Sequence, residues 1–334
     1  MKAILGKLML LENLTTEEAI EAMETMMSGE ATHAQIAAFL TALRMKGETV
    51  DEISAFASVL RNKANRVQLT VDAMDIVGTG GDGANTFNIS TAAAFVTAAA
   101  GMPVAKHGNR AASSQCGTAD VLEALGCNIT LSPEQAVSCL ARTGICFLFA
   151  QSYHSSMKHV AQPRREMGVR TVFNLIGPLS NPAFVKHQLL GVASEALLEP
   201  MAKVLMKLGM KHAMVVYGED GLDELTICAR SRVVEVVNGE MTRYHIEPED
   251  YGLVRANRDS VRGGNALENA AILRSVLGGE TGPRRDIVLL NAGAALCVAN
   301  KADSIGSGIL MAREAIDSGA ALAKLDAYII ESNQ

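Results

Sequence analysis

The chain has 334 residues, of which 49% are hydrophobic and 20% are charged, a composition typical of a folded protein and not of a disordered one. The length predicts about two domains. The net charge of −6 argues against a nucleic-acid surface, so any site for an anionic ligand must be built from a local group of residues.

The first 66 residues carry helical patterns only. Thr15-Thr16-Glu17-Glu18 is a helix-capping sequence, apolar residues follow it at helical spacing, and Gly29 ends the predicted helix. Two further helices are predicted over residues 33–45 and 50–64. We therefore expect a small, all-helical domain at the start of the chain.

From Met74 onward, short apolar runs alternate with helical patterns, which predicts a mostly parallel sheet covered by helices. Strands are predicted over 74–77, 104–106, 146–149, 187–191, 213–217, 226–228 and 231–237, and helices over 90–101, 113–126, 133–141, 195–209, 265–278 and 286–300. Residues 154–184 interrupt the alternation with a His/Arg-rich loop and a Pro-Leu-Ser-Asn-Pro turn.

The segment from Asp75 to Thr91 predicts a phosphate site. Its apolar start predicts a strand, four glycines within the six residues 78–83 predict a loop, and an Ala-rich helical pattern follows. Backbone N–H groups in such a loop and at the following helix N-terminus bind phosphate. Small donors in the segment can cap the helix or reach phosphate oxygens; they are Thr86, Asn88, Ser90 and Thr91.

Gly78-x-Gly80-x-x-Gly83 also matches the dinucleotide fingerprint. That fingerprint needs an acidic residue about 20 positions later, at the end of the next strand. Here the corresponding region, Val104-Ala-Lys-His-Gly108, is basic, and the predicted helix begins too late. The pattern therefore disfavours a nicotinamide or flavin site, whereas a turn without a ligand remains an alternative for this motif taken alone.

Two further charged segments are candidates for the same site. Lys106-His-Gly-Asn-Arg110 follows the next strand, so both loops are predicted at the carboxyl ends of parallel strands, where α/β proteins bind ligands. Asp223 and Glu224 follow a later strand and can bind Mg²⁺ beside a phosphate. Arg164-Arg165 can hold a substrate carboxylate. Each segment alone is also explained by a solvated turn, surface charge or pairing with helix acids.

Together these motifs resemble the anthranilate phosphoribosyltransferase family over nearly the whole chain. The motifs that carry the resemblance are Asp75-Ile-Val-Gly-Thr-Gly-Gly-Asp82, Asn88-Ile-Ser-Thr-Ala92, Lys106-His-Gly-Asn-Arg110, Arg164-Arg-Glu166, Asn174-Leu-Ile-Gly-Pro-Leu-Ser-Asn-Pro182, Gly218-Glu-Asp-Gly-Leu-Asp-Glu224 and Glu268-Asn-Ala270. Several motifs in the expected order are far more specific than one glycine loop.

The resemblance implies a reaction in which phosphoribosyl diphosphate (PRPP) and anthranilate give phosphoribosylanthranilate and diphosphate, with two Mg²⁺ ions. It also implies the fold of the pyrimidine nucleoside phosphorylases and a homodimer formed through the helical domain. The implied domains are residues 1–66 plus 164–184, which are helical, and residues 67–163 plus 185–334, which are α/β.

The resemblance also implies roles for individual residues. Lys106, Asn109 and Arg164 are the expected catalytic residues, and anthranilate is expected at Gly78, His107, Asn109 and Arg164. Ser90, Asp223 and Glu224 are the expected Mg²⁺ ligands. The expected PRPP-binding residues are Gly78, Gly81, Asp82, Thr86, Asn88, Ile89, Ser90, Thr91, Lys106, His107, Gly108, Asn109, Arg110, Ala111, Ala112, Ser113, Ser114 and Thr118.

The chain departs from the family pattern at Gln115, where relatives often carry lysine, and at Ser155 and Tyr217. A pyrimidine nucleoside phosphorylase is a rival within the fold, and a non-catalytic nucleic-acid binder is a rival of another class. The Lys-His-Gly-Asn-Arg form disfavours the first, and the acidic charge disfavours the second.

Six cysteines without CxxC spacing, no secretory signal and no apolar run of 18 residues predict a cytoplasmic protein without a membrane partner.

Overall fold

The computed structural model describes residues 1–111 and 115–334. Three residues expected to bind PRPP, Ala112, Ser113 and Ser114, lie outside the described residues.

The chain begins with four helices, α1 (Lys2–Met9), α2 (Thr16–Ser28), α3 (His33–Lys46) and α4 (Val50–Lys63). Thr15, Thr32 and Thr49 each accept a hydrogen bond from the backbone three residues later, where a Glu or Gln side chain completes the capping box. The three helices predicted in this region are confirmed, and α1 had not been recognised as a separate helix. We call α1–α4 the helical unit.

Seven strands form one sheet in the order β3-β2-β1-β4-β5-β6-β7. The strands are β1 (Met74–Gly78), β2 (Val104–Gly108), β3 (Ile145–Phe149), β4 (His187–Gly191), β5 (His212–Gly218), β6 (Ser231–Val237) and β7 (Glu240–Ile246). β1–β5 are parallel, and β6 and β7 continue the sheet antiparallel. The predicted mostly parallel sheet is confirmed. We call this sheet and its covering helices the sheet unit.

Two strand assignments differ from the sequence prediction. The predicted strand over 226–228 is wrong, because Thr226 N–H donates to Ser231 Oγ at 3.0 Å and Cys228 N–H to Thr226 Oγ1 at 2.9 Å. These local bonds form a turn where a ladder was expected. β7 was missed because its largely polar sequence lies at the edge of the sheet and gives little apolar alternation.

Further α-helices are described after β1, and several of them pack on the sheet. They are α5 (Ile89–Ala99), α6 (Thr118–Ala124), α7 (Pro133–Thr143), α8 (Ala150–Tyr153), α9 (Lys158–Met167), α10 (Val172–Ile176), α11 (Leu198–Lys207), α12 (Ala266–Leu277), α13 (Pro283–Val298), α14 (Ile305–Asp317) and α15 (Ala320–Ser332). The helix predicted over 113–126 is shorter, beginning after Gly117. α14 and α15 had not been predicted. Among the described helices, none is long and apolar enough to cross a membrane.

Within residues 154–184, where the sequence predicted a His/Arg-rich loop and a Pro-Leu-Ser-Asn-Pro turn, the structure contains α9 and α10. α9 packs against α2 and α3, and α10 packs against α3 and α4. Pro163 inside α9 and Gly168 at its end concealed the helical pattern. The segment therefore returns from the sheet to the helical unit.

Candidate active site at the carboxyl ends of the parallel strands

The glycine loop between β1 and α5 is fastened to the acidic segment that follows β5. Gly80 N–H donates to Asp223 Oδ2 at 2.6 Å. A Cβ at Gly78 would collide with the same carboxylate, so glycine is required at that position. Thr79 N–H donates to Gly191 O at 2.9 Å, which fixes the loop to the end of β4. Gly80, Gly81 and Gly83 are exposed and leave the loop open to a ligand.

Lys106, in the middle of β2, places a cation beneath this loop. Its side chain is almost fully buried, and its ammonium contacts Ile76 O and lies 3.2 Å from Ser90 Oγ. Burial lowers the pKa of Lys106, while the charges of Asp75 and Glu224 raise it. The lysine thus stands between α5 and the acidic segment, with carboxylates on both sides.

Asp223 and Glu224 form a buried acidic pair. Burial raises the pKa of Asp223 to about 7, and the neighbouring charge of Asp82 raises it as well. Burial also raises the pKa of Glu224 to about 8, to which Asp223 adds and which Lys106 opposes. Two carboxylates that repel each other in a buried position favour a cation between them.

A buried asparagine on α13 holds this acidic pair in place. Asn291 Oδ1 accepts from Leu225 N–H at 3.1 Å, and Asn291 Nδ2 donates to Leu225 O at 2.8 Å. Both backbone groups of the residue that follows Glu224 are therefore satisfied by one side chain.

The predicted Mg²⁺ ligands fit the chemistry of that ion. The Ser90 hydroxyl also bonds to the Glu224 carboxylate, so oxygen donors from α5 and the acidic segment meet. Within residues 1–111 and 115–334, no three Asp, Glu, His or Cys side chains surround one metal position. Mg²⁺ is usually held by one or two carboxylates, with water and substrate phosphates completing its octahedron, and the donor set here matches that pattern.

The polar residues at the start of α5 mostly hold loops together and do not cap the helix. The Asn88 side chain makes no capping bond; it donates to Cys116 O at 3.3 Å and accepts from Asn269 Nδ2 at 3.0 Å. Thr91 Oγ1 lies 3.5 Å from Thr118 Oγ1, and Thr86 pairs with Arg262 in an isolated β-bridge. These contacts bring the segments near 88, 116 and 263 to one side of the glycine loop.

In the basic segment after β2, two side chains bond mainly to protein groups. Arg110 pairs with Asp120 at 3.0 Å and with Glu123 at 2.8 Å, so its charge is already balanced. Asn109 Oδ1 accepts from Arg110 N–H at 2.8 Å and from Gln151 Nε2 at 3.3 Å. Asn109 as a whole is exposed.

His107 is buried beside a second histidine. Its ring meets that of His154 edge to face, with the centroids 5.1 Å apart. Burial lowers the pKa of His107 well below its ordinary value and that of His154 to about 4, so both rings are neutral at pH 7. A neutral, partly apolar wall suits an aromatic ligand.

Arg164 projects from the last turn of α9. Its guanidinium lies 4.7 Å from the centroid of the Phe173 ring, and its side chain is partly buried. Burial lowers its pKa, and it makes no ion pair or hydrogen bond with the described residues. The structure thus does not join Arg164 directly to Asn109 or His107, although its charge is available to a ligand.

Sequence reasoning missed several residues that shape the site. Asp75, fully buried, accepts from His107 N–H at 3.2 Å and from Asn181 Nδ2 at 2.8 Å. Asn181 Nδ2 also donates to Ala105 O at 2.8 Å. Burial raises the pKa of Asp75 to about 6, which the charge of Lys106 opposes. A carboxylate inside an apolar strand was the signal that could have identified Asp75.

Comparison with known proteins gives consistent results for both parts of the chain. Residues 2–64 match the glycosyl transferase family, helical bundle domain, and residues 70–322 match the glycosyl transferase family, a/b domain. The chain is 52% identical over 334 residues to the anthranilate phosphoribosyltransferase of Acetivibrio thermocellus, covering 100% of this chain and 97% of that one.

Two solved structures have the same fold along nearly the whole chain. Anthranilate phosphoribosyltransferase from Thermus thermophilus superposes with a TM-score of 0.94 at 45% identity, covering 99% of both chains. The enzyme of that name from Saccharomyces cerevisiae, in complex with PRPP and Mg, superposes with a TM-score of 0.92 at 30% identity, covering 99% of this chain and 97% of that one.

Proposed function

The chain belongs to the anthranilate phosphoribosyltransferases of the glycosyl transferase family, and on this premise we propose that it transfers the 5-phosphoribosyl group of PRPP to the amine of anthranilate. The transfer is the second step of tryptophan biosynthesis. The observation that supports it most is the meeting of an open glycine loop, the Lys106 ammonium and the Asp223–Glu224 pair at one end of the sheet. These groups suit a polyphosphate bound together with a divalent cation.

The donor would bind across the glycine loop and the neighbouring segments. We assign this role to Gly78, Gly81, Asp82, Thr86, Asn88, Ile89, Ser90, Thr91, Lys106, His107, Gly108, Asn109, Arg110, Ala111 and Thr118. Ser90, Asp223 and Glu224 would hold Mg²⁺, with two ions in the full site. When bound, the metal supplies positive charge that stabilises the departing diphosphate. Lys106 adds a fixed, desolvated cation to the same end of the donor.

The acceptor would lie between Arg164, Asn109, His107 and Gly78. The guanidinium of Arg164, which has no protein carboxylate partner among the described residues, suits the carboxylate of anthranilate. The neutral His107 ring suits the aromatic face. In the transfer, the amine nitrogen forms a bond to C1 of the ribose, the C1–O bond to diphosphate breaks, and the amine then loses a proton.

In this proposal, most of the rate acceleration comes from holding the two substrates in the reactive geometry. An aromatic amine is uncharged near pH 7 and needs no strong base to become a nucleophile. Holding the amine and C1 in line contributes on the order of 7–11 kcal/mol of the barrier reduction. Closure of the helical unit over the strand ends would exclude water and limit hydrolysis of PRPP.

We propose the domain division given above, with residues 164–184 joined to residues 1–66. The packing of α9 and α10 against α2–α4 supports it.

We also propose a cytoplasmic homodimer formed through the helical unit. Met9, Leu10, Leu11 and Met45 are 63–77% exposed, and α1, which ends at Met9, packs against α3, which carries Met45. We call these exposed side chains the apolar patch.

A fluorescence assay tests the proposed reaction. Purified protein is mixed with anthranilate, PRPP and Mg²⁺, and anthranilate fluorescence is followed over time. We expect an enzyme-dependent loss of signal that stops when the metal is chelated. A flat trace from folded protein would contradict the proposal, and phosphorolysis of pyrimidine nucleosides and binding of oligonucleotides would then be measured.

A further inference from the structure

Arg170 lies against the glycine loop, although no pattern in the sequence pointed to it. It stands in the short connection between α9 and α10. Its Nη2 donates to Thr79 O at 3.3 Å. Its guanidinium covers Gly81 so closely that a Cβ on that residue would overlap Nη1. The arginine thus reaches from the helical side of the cleft to the loop expected to hold phosphate.

The charge of Arg170 is available to a ligand. The side chain is exposed, and within the described part of the chain its guanidinium has no carboxylate partner. Arg110, one of the cations that the sequence analysis placed at the PRPP site, is paired with Asp120 and Glu123. Position 115 carries an uncharged glutamine. A donor with several phosphate charges therefore finds few free cations near the loop, and Arg170 is one of them.

The position of the Arg170 guanidinium suits the binding of a phosphate oxygen better than a purely structural contact. A guanidinium presents several N–H donors in one plane and binds phosphate through two of them at once. Arg170 uses Nη2 to donate to Thr79 O, while Nη1 and Nε lie against the exposed Gly81 and make no hydrogen bond with the described residues. We propose that Arg170 binds the diphosphate group of PRPP, an inference that rests on the function proposed above.

This interaction would also connect the two units. Arg170 is carried by a segment packed on α2, α3 and α4, whereas Gly81 belongs to the sheet unit. A diphosphate bound both to Arg170 and to the glycine loop would hold the segment between α9 and α10 against that loop. The donor thereby favours the closed cleft before the acceptor reacts.

Calorimetric titration with PRPP and Mg²⁺, without anthranilate, tests the inference in the full-length protein. We compare the wild type with Arg170→Gln, Arg170→Lys and the control Arg44→Gln. Arg44 is an exposed arginine on α3 whose nearest carboxylate is Glu48, at 3.7 Å. We expect Arg170→Gln to raise the Kd for PRPP about 10- to 100-fold, and Arg170→Lys to raise it less, because lysine keeps the charge and loses the planar fork.

Steady-state assays then separate donor binding from acceptor binding. We expect Arg170→Gln to raise the KM for PRPP and to leave the KM for anthranilate within about twofold. Thermal unfolding checks that each variant is folded. A wild-type Kd for PRPP in folded Arg170→Gln would overturn the inference.

The two proposals fail in different ways. If the wild type binds PRPP, loses that binding in Arg170→Gln and forms no product with anthranilate, the acceptor is wrong and the role of Arg170 stands. If PRPP does not bind to the wild type, both proposals are overturned. If turnover is normal and Arg170→Gln binds PRPP normally, only the inference about Arg170 is rejected.

Discussion

At the scale of single residues, the candidate site is built from charges that compensate one another. Burying an isolated ion costs several kcal/mol, whereas a paired and hydrogen-bonded ion costs much less. Lys106 lies between Asp75 on one side and Glu224 on the other, and Asp223 lies beside Glu224. The two carboxylates of the acidic pair carry more negative charge than the Lys106 ammonium can balance, which is the electrostatic reason to expect a metal ion there.

Arg164 is the residue whose replacement most directly tests the acceptor site. We expect Arg164→Ala to raise the KM for anthranilate about 10- to 100-fold, because the variant cannot form the bidentate, charge-assisted interaction with the carboxylate. The KM for PRPP should change little. Arg44→Ala serves as the control for removal of an exposed arginine from the helical unit. An unchanged KM for anthranilate in Arg164→Ala would remove this residue from the acceptor site.

The acidic pair is tested by neutral replacements of nearly equal size. In the double variant Asp223→Asn with Glu224→Gln, we expect kcat to fall and the Mg²⁺ concentration for half-maximal rate to rise at least about tenfold. Titration of activity with Mg²⁺ measures both. Asp220→Asn is the control from the same turn. A wild-type metal titration in the double variant would disprove the assignment.

His154 should make stability depend on pH. Its pKa is lowered from 6.5 to about 4 by burial, so below pH 6.5 the unfolded chain binds a proton that the folded chain does not. Stability is therefore lost as the pH falls from 6.5 toward 4, by about 2 kcal/mol between about pH 7.5 and about pH 5. Urea unfolding of the wild type and of His154→Gln at both pH values measures this contribution. Equal pH dependence in the two proteins would rule it out.

At the scale of elements, buried asparagines hold loops where no ladder of backbone bonds is available. Asn181 ties the connection after α10 to β1 and β2, and Asn269 ties α12 to Asn88. Asn269 Oδ1 also accepts from Gly264 N–H at 2.7 Å. Because an amide carries both donors and an acceptor, one side chain satisfies backbone groups on two segments at once.

Asn291 offers the clearest test at this scale. Asn291→Ala leaves Leu225 N–H and C=O unpaired in a fully buried position, and each lost partner costs about 1–3 kcal/mol. We expect a lower melting temperature and weaker Mg²⁺ activation, measured by calorimetry and by metal titration well below the melting point. Asn333→Ala, at an exposed position near the C-terminus, is the control. A normal metal response in folded Asn291→Ala would show that Asn291 does not position the acidic pair.

At the scale of the whole molecule, the cleft is formed by segments that cross between the two units. Asn65 N–H donates to Tyr153 O at 2.8 Å and Val67 N–H to Pro182 O at 3.1 Å, so the connection after α4 bonds both to α8 and to the segment that precedes β4. Phe184 lies between Arg61 and Arg66, whose guanidinium carbons are 5.7 and 4.7 Å from the ring centroid. Besides these connections, α11 of the sheet unit packs against α4 of the helical unit, so the two units also share a helix–helix contact.

The apolar patch predicts the state of association. We expect wild-type protein to sediment as a dimer and Leu10→Glu to sediment largely as a monomer, because a charge would be buried in the interface. Analytical ultracentrifugation over a range of concentrations measures this. Leu310→Glu is the control, since Leu310 is 63% exposed on α14, outside the helical unit. A monomeric wild type, or a dimer unaffected by Leu10→Glu, would refute the proposed interface.

The sequence by itself determined the two-unit architecture, three of the first four helices and six of the seven strands of the sheet. Helical and alternating patterns of apolar residues indicate which face of a helix or strand is buried, and capping boxes indicate where helices begin. The glycine loop, the Lys106 segment and the acidic pair could be assigned to one site from the sequence, because the carboxyl ends of parallel strands meet at one edge.

Only the tertiary structure decided the rest. α9 and α10 form although Pro163 and Gly168 break their pattern, because packing against the helical unit outweighs local propensity. The hydrogen bonds of Asp75, Asn181 and Asn291 that shape the site join residues far apart in the sequence, so no local sequence pattern predicts them. The hydrogen bond of Arg170 to the glycine loop joins residues about 90 positions apart. This hydrogen bond forms only because the chain returns to the helical unit before it completes the sheet, which brings the two residues together in the folded protein.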